Sequence, residues 1–215
     1  MKILALDAAL HGFSAALDLD GTVTSTLTGR HDALEAGLAQ VGALLERCGV
    51  QLTALDRIAV GIGPGSFTGL RIAVSYAKAL AYGASLPLVG ISSYDALEPP
   101  DPPLPLLAVV RGRRGVVCAR LRHDGAATAA CGPTSEVLDR LLTGSPRAIA
   151  VAGDTEDVLA PIAERGWTVR ALSARSSVPA VAIAQLARTR APSVSPHAVA
   201  PDYGEAPAVT RRDAP

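Results

Sequence analysis

The chain has 215 residues, of which 49% are hydrophobic and 19% are charged, so it can bury the core of one domain or of two small ones. Lysine and arginine together number 20, as do aspartate and glutamate, and this balance excludes a globally basic surface for binding nucleic acid. The N-terminal segment becomes polar at Asp7, and no apolar run approaches the roughly 20 residues of a membrane span. We therefore expect a globular, cytoplasmic protein.

The first half of the chain predicts three strands followed by alternating helices and strands. The Asp20-Gly21 pair lies between two apolar-rich segments and is a strong hairpin signal, so the first three strands are predicted to be antiparallel neighbours. Apolar residues then recur at helical spacing in two segments. The predicted elements are strands at 3–8, 13–19 and 22–27, a helix at 32–49, a strand at 57–62, a helix at 69–83, a short strand near 88–89 and a helical turn after 92.

A proline-rich segment at 99–105 separates the two halves. Its five prolines exclude a helix or a central strand, so it is predicted to link residues 1–98 to residues 106–190. The tail at 191–215 is also rich in proline and is predicted to be extended or partly disordered. The second half predicts strands at 106–111, 115–121 and 126–131, a helix at 134–142, a strand at 147–152, a helix at 155–165, a strand at 167–171 and a helix at 178–190.

The same order of elements occurs in both halves, although the residues themselves do not visibly repeat. The ribonuclease-H-like unit of the actin, hexokinase and Hsp70 superfamily has this order, which is three strands, a helix, a strand, a helix, a strand and a helix. The predicted fold class is therefore α/β, with two ribonuclease-H-like domains that each contain a mixed sheet with helices.

The most informative stretch is the glycine-rich loop at 61–72, Gly-Ile-Gly-Pro-Gly-Ser-Phe-Thr-Gly-Leu-Arg-Ile. It is not a P-loop, because the spacing from Gly65 to Gly69 is one residue short and no lysine follows. A dinucleotide fingerprint fails as well, since it needs glycine where Thr68 stands. The residues instead predict a tight strand-to-helix turn, with Ser66 or Thr68 capping a helix that begins near Gly69.

The loop also carries a candidate anion site. Free backbone amides at a helix N-terminus attract anions, so the start of this helix could hold one. A turn and cap without any ligand is the alternative. The candidate anion-binding residues are Gly65, Ser66, Thr68 and Arg71.

Other catalytic and metal-binding patterns are weak. Cys48, Cys118 and Cys131 lack CxxC spacing and are predicted to be reduced structural thiols rather than a disulfide frame or a zinc site. His31 and Glu35 lie one helical turn apart but supply only two of the three or four ligands that zinc needs. No Gly-x-Ser-x-Gly nucleophile elbow is present. We therefore predict no catalytic residue and no metal ligand.

Three segments together resemble the TsaB family, also called YeaZ. They are Gly-Pro-Gly-Ser-Phe-Thr-Gly-Leu-Arg at 63–71, Ile-Leu-Ala-Leu-Asp at 3–7 and Pro-Leu-Val-Gly-Ile-Ser-Ser at 87–93. The resemblance is specific over about residues 1–98 and only architectural beyond them. It implies a non-catalytic scaffold or dimerization subunit that pairs with TsaD, alongside the ATPase TsaE, and is required for threonylcarbamoyl transfer to the tRNA adenosine next to the anticodon.

The resemblance also implies that this chain binds no cofactor by itself, with ATP and metal on the partner subunits. It implies contact with tRNA only through the complex, and a heterodimer with TsaD or a homodimer. Three positions depart from the pattern. Ala8 stands where nucleotide-binding relatives carry a glycine or hydroxyl residue, and Arg111 stands where they carry an acid. Glu205 stands where the family has arginine. Two enzymatic alternatives stay open, an ATP-dependent small-molecule phosphotransferase and a glycoprotease-like metallohydrolase.

Two helices carry the predicted partner surface. The helix at 69–83 has only two charges, Arg71 and Lys78, and it has more apolar surface than one sheet covers. The helix at 32–49 is similar, and two well-buried core helices are the alternative from the pattern alone. With the resemblance, we predict a bundle with the partner. The predicted partner-binding residues are Leu34, Leu38, Val41, Leu45, Gly69, Leu70, Ile72, Ala73, Tyr76, Ala77 and Leu80.

Overall fold

A computed structural model describes residues 1–10, 12–28, 35–144 and 147–204. The first half contains β1 (Lys2–Asp7), β2 (Phe13–Leu19), β3 (Thr22–Thr28), α1 (Glu35–Arg47), β4 (Arg57–Gly63), α2 (Phe67–Gly83), β5 (Leu88–Ser92) and α3 (Ser93–Leu97). The second half contains β6 (Leu106–Arg111), β7 (Val116–His123), β8 (Ala126–Pro133), α4 (Thr134–Leu141), β9 (Ala148–Gly153), α5 (Leu159–Glu164), β10 (Thr168–Leu172) and α6 (Pro179–Ala187). Short 3-10 turns lie at Leu52–Ala54 and Pro196–Ala198.

The first sheet has the strand order β3-β2-β1-β4-β5. β1, β2 and β3 are antiparallel neighbours, as predicted, whereas β4 and β5 run parallel to β1. At the predicted hairpin Asp20 and Gly21 have φ of 54° and 100°, and two consecutive positive φ values fit the twist of the adjoining strands. The hairpin prediction is confirmed, and it fixes which strand lies at this edge of the sheet.

The second sheet has the order β10-β9-β6-β7-β8, which is the first order read from the other edge. β6, β7 and β8 are antiparallel, while β9 and β10 are parallel to β6. Two mixed five-stranded sheets with helices confirm the predicted α/β fold class. Residues 99–105 form no helix or strand, as their prolines require.

Both faces of the first sheet are covered by helices. Alternate residues of β1 point to opposite faces, so Leu4 and Leu6 join α1 and α2 in one core cluster. Ile3 and Ala5 join the other cluster together with α6. The sequence assigned the helix at 178–190 to the second half, but α6 packs on β1 and β2 of the first sheet, so that assignment is wrong.

The reason for this placement lies in the composition of α6. Alanines 180, 182, 184 and 187 are fully buried, and their small side chains let the helix lie close to the sheet. The amide of Ala180 donates a hydrogen bond to Ser14 Oγ at 3.1 Å, which ties the start of the helix to β2. After β10 the chain therefore crosses back to the first sheet. The boundaries predicted for the two domains stay a prediction.

An ion cluster joins the two sheets. Arg120 on β7 donates to Asp95 and to Glu98, each at 2.6 Å, and Arg122 donates to the second oxygen of Glu98 at 2.6 Å. Glu98 is buried and Arg120 is mostly buried, so the charges are paired where solvent does not screen them well. The cluster therefore fixes α3 against β7.

The structure contradicts the prediction that all three cysteines are reduced. Cys118 on β7 and Cys131 on β8 are directly opposite each other in the antiparallel register and form a disulfide. Cys48 is the free cysteine among the described residues. The bonded residues are 13 positions apart in the sequence, and only the strand pairing brings their side chains together.

Candidate functional site

The glycine-rich loop connects the carboxyl end of β4 to the start of α2. Ser66 is the N-cap of α2, and its Oγ accepts a hydrogen bond from the Gly69 amide at 3.3 Å. The predicted cap is therefore confirmed at Ser66, and the helix begins at Phe67. Gly63 and Gly65 have φ of 102° and 159°, and the Gly63–Pro64 peptide bond is cis.

The loop packs tightly against the turn that follows β1. The Ser66 amide donates to Ala9 O at 2.8 Å. A Cβ on Gly65 would overlap Ala9 O, and one on Gly69 would overlap Ala8 O. Glycine is required at both positions because backbone meets backbone there, so the sequence pattern reflects packing between two loops.

On its other side the loop is covered by residues 199–204, which we call the C-terminal strap. The Asp202 amide donates to Ile62 O at 2.6 Å, and a Cβ on Gly63 would overlap Asp202 O. The Tyr203 ring lies 4.7 Å from the ring of Phe67. The tail was predicted to be extended or partly disordered, but up to residue 204 it packs on the protein, and residues 205–215, including Glu205, lie outside the described residues.

The candidate anion residues lie together at the start of α2, but some of their donors are already used. The Ser66 amide and hydroxyl take part in the contacts with Ala9 and Gly69 described above. Thr68 and Arg71 are exposed, and the Arg71 guanidinium lies over the Phe67 ring at 5.5 Å. Anion binding at this helix start stays a prediction.

Asp7 is a buried acidic residue that the sequence analysis did not name as a candidate site residue. It ends β1, is fully buried, and accepts a hydrogen bond from the Leu10 amide at 3.1 Å through Oδ2. Its Oδ1 has no hydrogen-bond partner among the described residues, and a Cβ on Gly61 would overlap this atom. Burial raises the pKa of Asp7 from its ordinary value of 3.8 to about 6, against the lowering effect of the Leu10 and Ala9 amides.

This buried carboxyl should make stability depend on pH. Because the pKa of Asp7 is higher in the folded chain, the folded state binds the proton more tightly than the unfolded state does. The protonated carboxyl therefore contributes its full share to the free energy of unfolding below about pH 4, and this share is lost as pH rises to about 6. The shift corresponds to about 3 kcal/mol of unfolding free energy. Asp7→Asn should abolish this pH dependence and raise stability at pH 7.5 by about 1–2 kcal/mol, less than the full amount because its Nδ2 would lack an acceptor.

Urea unfolding of both proteins at several pH values between 4 and 7.5 measures this effect. Asp101→Asn, at an exposed position, is the control and should leave the pH dependence unchanged. An Asp7→Asn variant that keeps the pH dependence of the original chain would contradict the assignment to Asp7.

Several predicted partner-binding residues are buried within the chain itself. Val41, Leu70, Ala73 and Ala77 are at most 1% exposed and belong to its own core, so their prediction as partner-contacting residues is wrong. Both helices are amphipathic on the sheet, and these positions face it. Leu34 lies outside the described residues, as does the side chain of Leu38.

The remaining predicted residues are partly accessible. Gly69, Ile72, Tyr76, Leu80 and Leu45 are half-buried. Burial raises the pKa of the Tyr76 hydroxyl. Their contact with a partner stays a prediction.

The structure shows an exposed face that the sequence reasoning missed. We call it the outer helix face, and it has few charges and mostly small or aromatic side chains. Helical spacing from the buried positions would have identified it, because exposed residues lie two positions away from the core stripe. Its members are Ala39, Gly42, Ala43 and Glu46 on α1, and Phe67, Thr68, Arg71, Ser75, Ala79 and Tyr82 on α2.

The described part of the chain contains no group of side chains that could serve as ligands for metal-dependent or phosphotransfer chemistry. No cluster of three or more His, Cys, Asp or Glu residues there could hold a metal ion, and His31 lies outside it. Arg111, where an acid was expected, pairs with Glu156 and Asp157 at 2.8 Å each. Its amide donates to Asp154 Oδ2 at 2.8 Å, so the Gly153-Asp154 turn is used for structure. Among the described residues, no helix combines the length and hydropathy that crossing a membrane requires.

Comparison with known proteins extends these observations. A model of the family described as "TsaD: tRNA N6-adenosine threonylcarbamoyltransferase" matches residues 32–188, which is more than half of the chain. The Escherichia coli "tRNA threonylcarbamoyladenosine biosynthesis protein TsaB" is 43% identical over 95 residues, which cover 43% of this chain and 41% of that protein. The chain belongs to this family, in its TsaB (YeaZ) branch.

Other relatives match over more of their length. An uncharacterized Mycobacterium bovis protein is 31% identical over 148 residues, covering 62% of this chain and 68% of that protein. A Pseudomonas aeruginosa crystal structure, titled as an uncharacterized protein with similarity to peptidase YEAZ, superposes with a TM-score of 0.71 at 25% identity, covering 95% of this chain and 99% of that one. The match to the E. coli TsaB protein spans less than half of its length. The fold is therefore shared over 95% of this chain, whereas close sequence similarity is limited to a smaller part of it.

Proposed function

We propose that this TsaB-family chain is a non-catalytic subunit required for threonylcarbamoyl transfer to the tRNA adenosine next to the anticodon, and that it acts by pairing with TsaD. The names of its relatives support the pathway. ATP and metal are expected on the partner subunits TsaD and TsaE, and tRNA is contacted through the complex.

The outer helix face is the observation that carries this proposal. Phe67 and Tyr82 are 48% and 72% exposed and lie 15 positions apart on α2, about 22 Å along the helix. Between them lie the small exposed residues Ser75 and Ala79 and two charges, the exposed Arg71 and the half-buried Lys78. Large apolar side chains and few charges are typical of the centre of a protein interface.

α1 extends this surface on the same side of the first sheet. Ala39, Gly42 and Ala43 are exposed and small, so a partner helix can approach its backbone closely. α1 covers β2 and β3 while α2 covers β4 and β1, and both helices pack on the same core cluster, so they lie on one face of the sheet. Two such helices form half of a four-helix bundle, which TsaD or a second copy of this chain would complete.

The site geometry favours a subunit without its own phosphotransfer chemistry. Asp7, the acid at the end of β1, is fully buried against Gly61, and Arg111 replaces the acid at the end of β6. A carboxylate must reach water or metal to support transfer of a phosphoryl group. The phosphotransferase and metallohydrolase alternatives therefore lack a supporting observation.

A reconstituted tRNA modification assay tests the proposal. With cognate TsaD, TsaE and substrate, modification should require this chain, while the chain alone should have no activity and should co-purify with TsaD. Full modification without the chain, or transfer catalysed by the chain alone, would contradict the proposal.

A further inference from the structure

We infer that the Cys118–Cys131 disulfide is a redox control on the C-terminal strap, and that reduction releases the strap from α2. The release concerns this chain alone. Its consequence for a partner rests on the proposed function, because the strap completes one end of the outer helix face.

The disulfide lies directly beneath the strap. A Cβ built on Gly204 would be 2.6 Å from Cys118 Sγ and 2.5 Å from Cys131 Sγ, so the Gly204 backbone rests on both sulfurs. Gly204 has a positive φ of 70°, a conformation that glycine adopts without strain. The Tyr94 hydroxyl lies 4.0 Å from Cys131 Sγ on another side. The backbone of the strap thus contacts the two sulfurs directly, without an intervening side chain.

The strap also contacts the first sheet and α2. Asp202 bonds to Ile62 O at the end of β4, and Val199 is buried in the core cluster beneath α2. Tyr203 is half-buried and stacks on the exposed ring of Phe67, which also carries Arg71 on its face. One short segment therefore connects the disulfide of the second sheet to the aromatic end of the outer helix face.

Reduction would change the shape of the surface under Gly204. A thiol pair donates two electrons and two protons, the Sγ–Sγ bond breaks, Cys118 and Cys131 become thiols, and the reductant becomes a disulfide. Two unbonded sulfur atoms cannot remain as close as two bonded ones, and on the strap side the Gly204 backbone already lies against them. The strap must then move, and Tyr203 moves with it.

The strap in turn protects the disulfide. Cys118 is 5% exposed, Cys131 is half-buried, and the Gly204 backbone lies against both sulfurs, so the strap limits the approach of a thiolate from its side. A contact that holds the strap against α2 therefore slows reduction of the Cys118–Cys131 disulfide. A partner seated on Phe67 and Tyr203 would be such a factor.

Hydrogen exchange of the isolated full-length chain tests the release. In a Cys48→Ser background, the chain oxidised with glutathione disulfide is compared with the chain reduced by dithiothreitol. Exchange at the Asp202 amide should be at least tenfold faster after reduction, while exchange at the Leu70 amide, which bonds to Ser66 O inside α2, should be unchanged. Equal exchange at Asp202 in both forms, or two free thiols after oxidation, would overturn the inference.

A matched variant separates the strap from general destabilisation. Cys118→Ser with Cys131→Ser should exchange as fast as the reduced chain, and dithiothreitol should no longer affect it. If this variant does not fold, reduction of the Cys48→Ser chain still decides the question. A dithiothreitol effect on Asp202 that persists in the folded double variant would count against the disulfide as its cause.

Binding to TsaD tests the consequence of release. The oxidised chain should bind at least tenfold more tightly than the reduced chain, and Tyr203→Ala should remove that difference. Equal binding of both forms would overturn the link to the partner. Absence of binding by either form would contradict the proposed function, while the exchange experiment on the isolated chain would stand.

Discussion

Gly69→Ala is expected to lower the free energy of unfolding by at least about 4 kcal/mol, a large part of the total stability of a domain of this size. The added Cβ would overlap the carbonyl oxygen of Ala8, which is backbone and cannot rotate away. The Ser66–Ala9 hydrogen bond holds the two loops at this distance, so relief requires separating them. Urea unfolding followed by far-ultraviolet circular dichroism measures the change.

Gly83→Ala in the same helix is the matched control. A Cβ at Gly83 meets no atom within 4 Å, so only the backbone entropy and helix propensity change. This variant should be as stable as the original chain or more stable by up to about 1 kcal/mol. A Gly69→Ala protein with an unchanged midpoint would show that the loops are farther apart than the structure indicates.

Ala79→Glu on α2 is expected to weaken binding to TsaD at least thirtyfold, or about 2 kcal/mol, without unfolding the chain. Ala79 is an exposed member of the outer helix face, so a glutamate there is solvated in the free chain and becomes a buried, unpaired charge in a complex. Ala43→Glu on α1 should act in the same way. Isothermal titration with purified TsaD gives the affinity.

Ala163→Glu is the control for this pair, because Ala163 is an exposed alanine on α5, far from the outer helix face in the fold. It should leave both affinity and melting temperature unchanged. Ala77→Glu is not a suitable probe, since Ala77 is fully buried and the variant would unfold. Unaltered binding by both Ala79→Glu and Ala43→Glu would rule out the outer helix face as the contact surface.

The order of the elements could be predicted because their signals are local. The Asp20-Gly21 hairpin, the glycine loop with Ser66 as its cap, and the proline-rich linker each depend on residues that are neighbours in the chain. The placement of α6 could not be predicted in this way. Its alanine-rich sequence fits either sheet, and only packing against β1 and β2 selects the first.

The candidate site shows the same division. Apolar composition predicted a partner surface on α1 and α2, which stays a prediction, but it did not separate core positions such as Ala73 and Ala77 from exposed ones such as Ala79, since alanine occurs in both environments. Nor did spacing reveal that Cys118 and Cys131 are cross-strand neighbours. Each of these depends on which face of an element meets the rest of the protein.

The sequence by itself determined the fold class, the family resemblance and the turn at 61–72, because these follow from residue type and spacing along the chain. Only the tertiary structure decided that Gly65 and Gly69 are required by the Ala8–Ala9 turn, that Asp7 is buried with no partner for Oδ1 in the described part of the chain, and that the strap joins the disulfide to Phe67. These contacts connect segments far apart in sequence. Their energies come from close approach and burial, which no local pattern encodes.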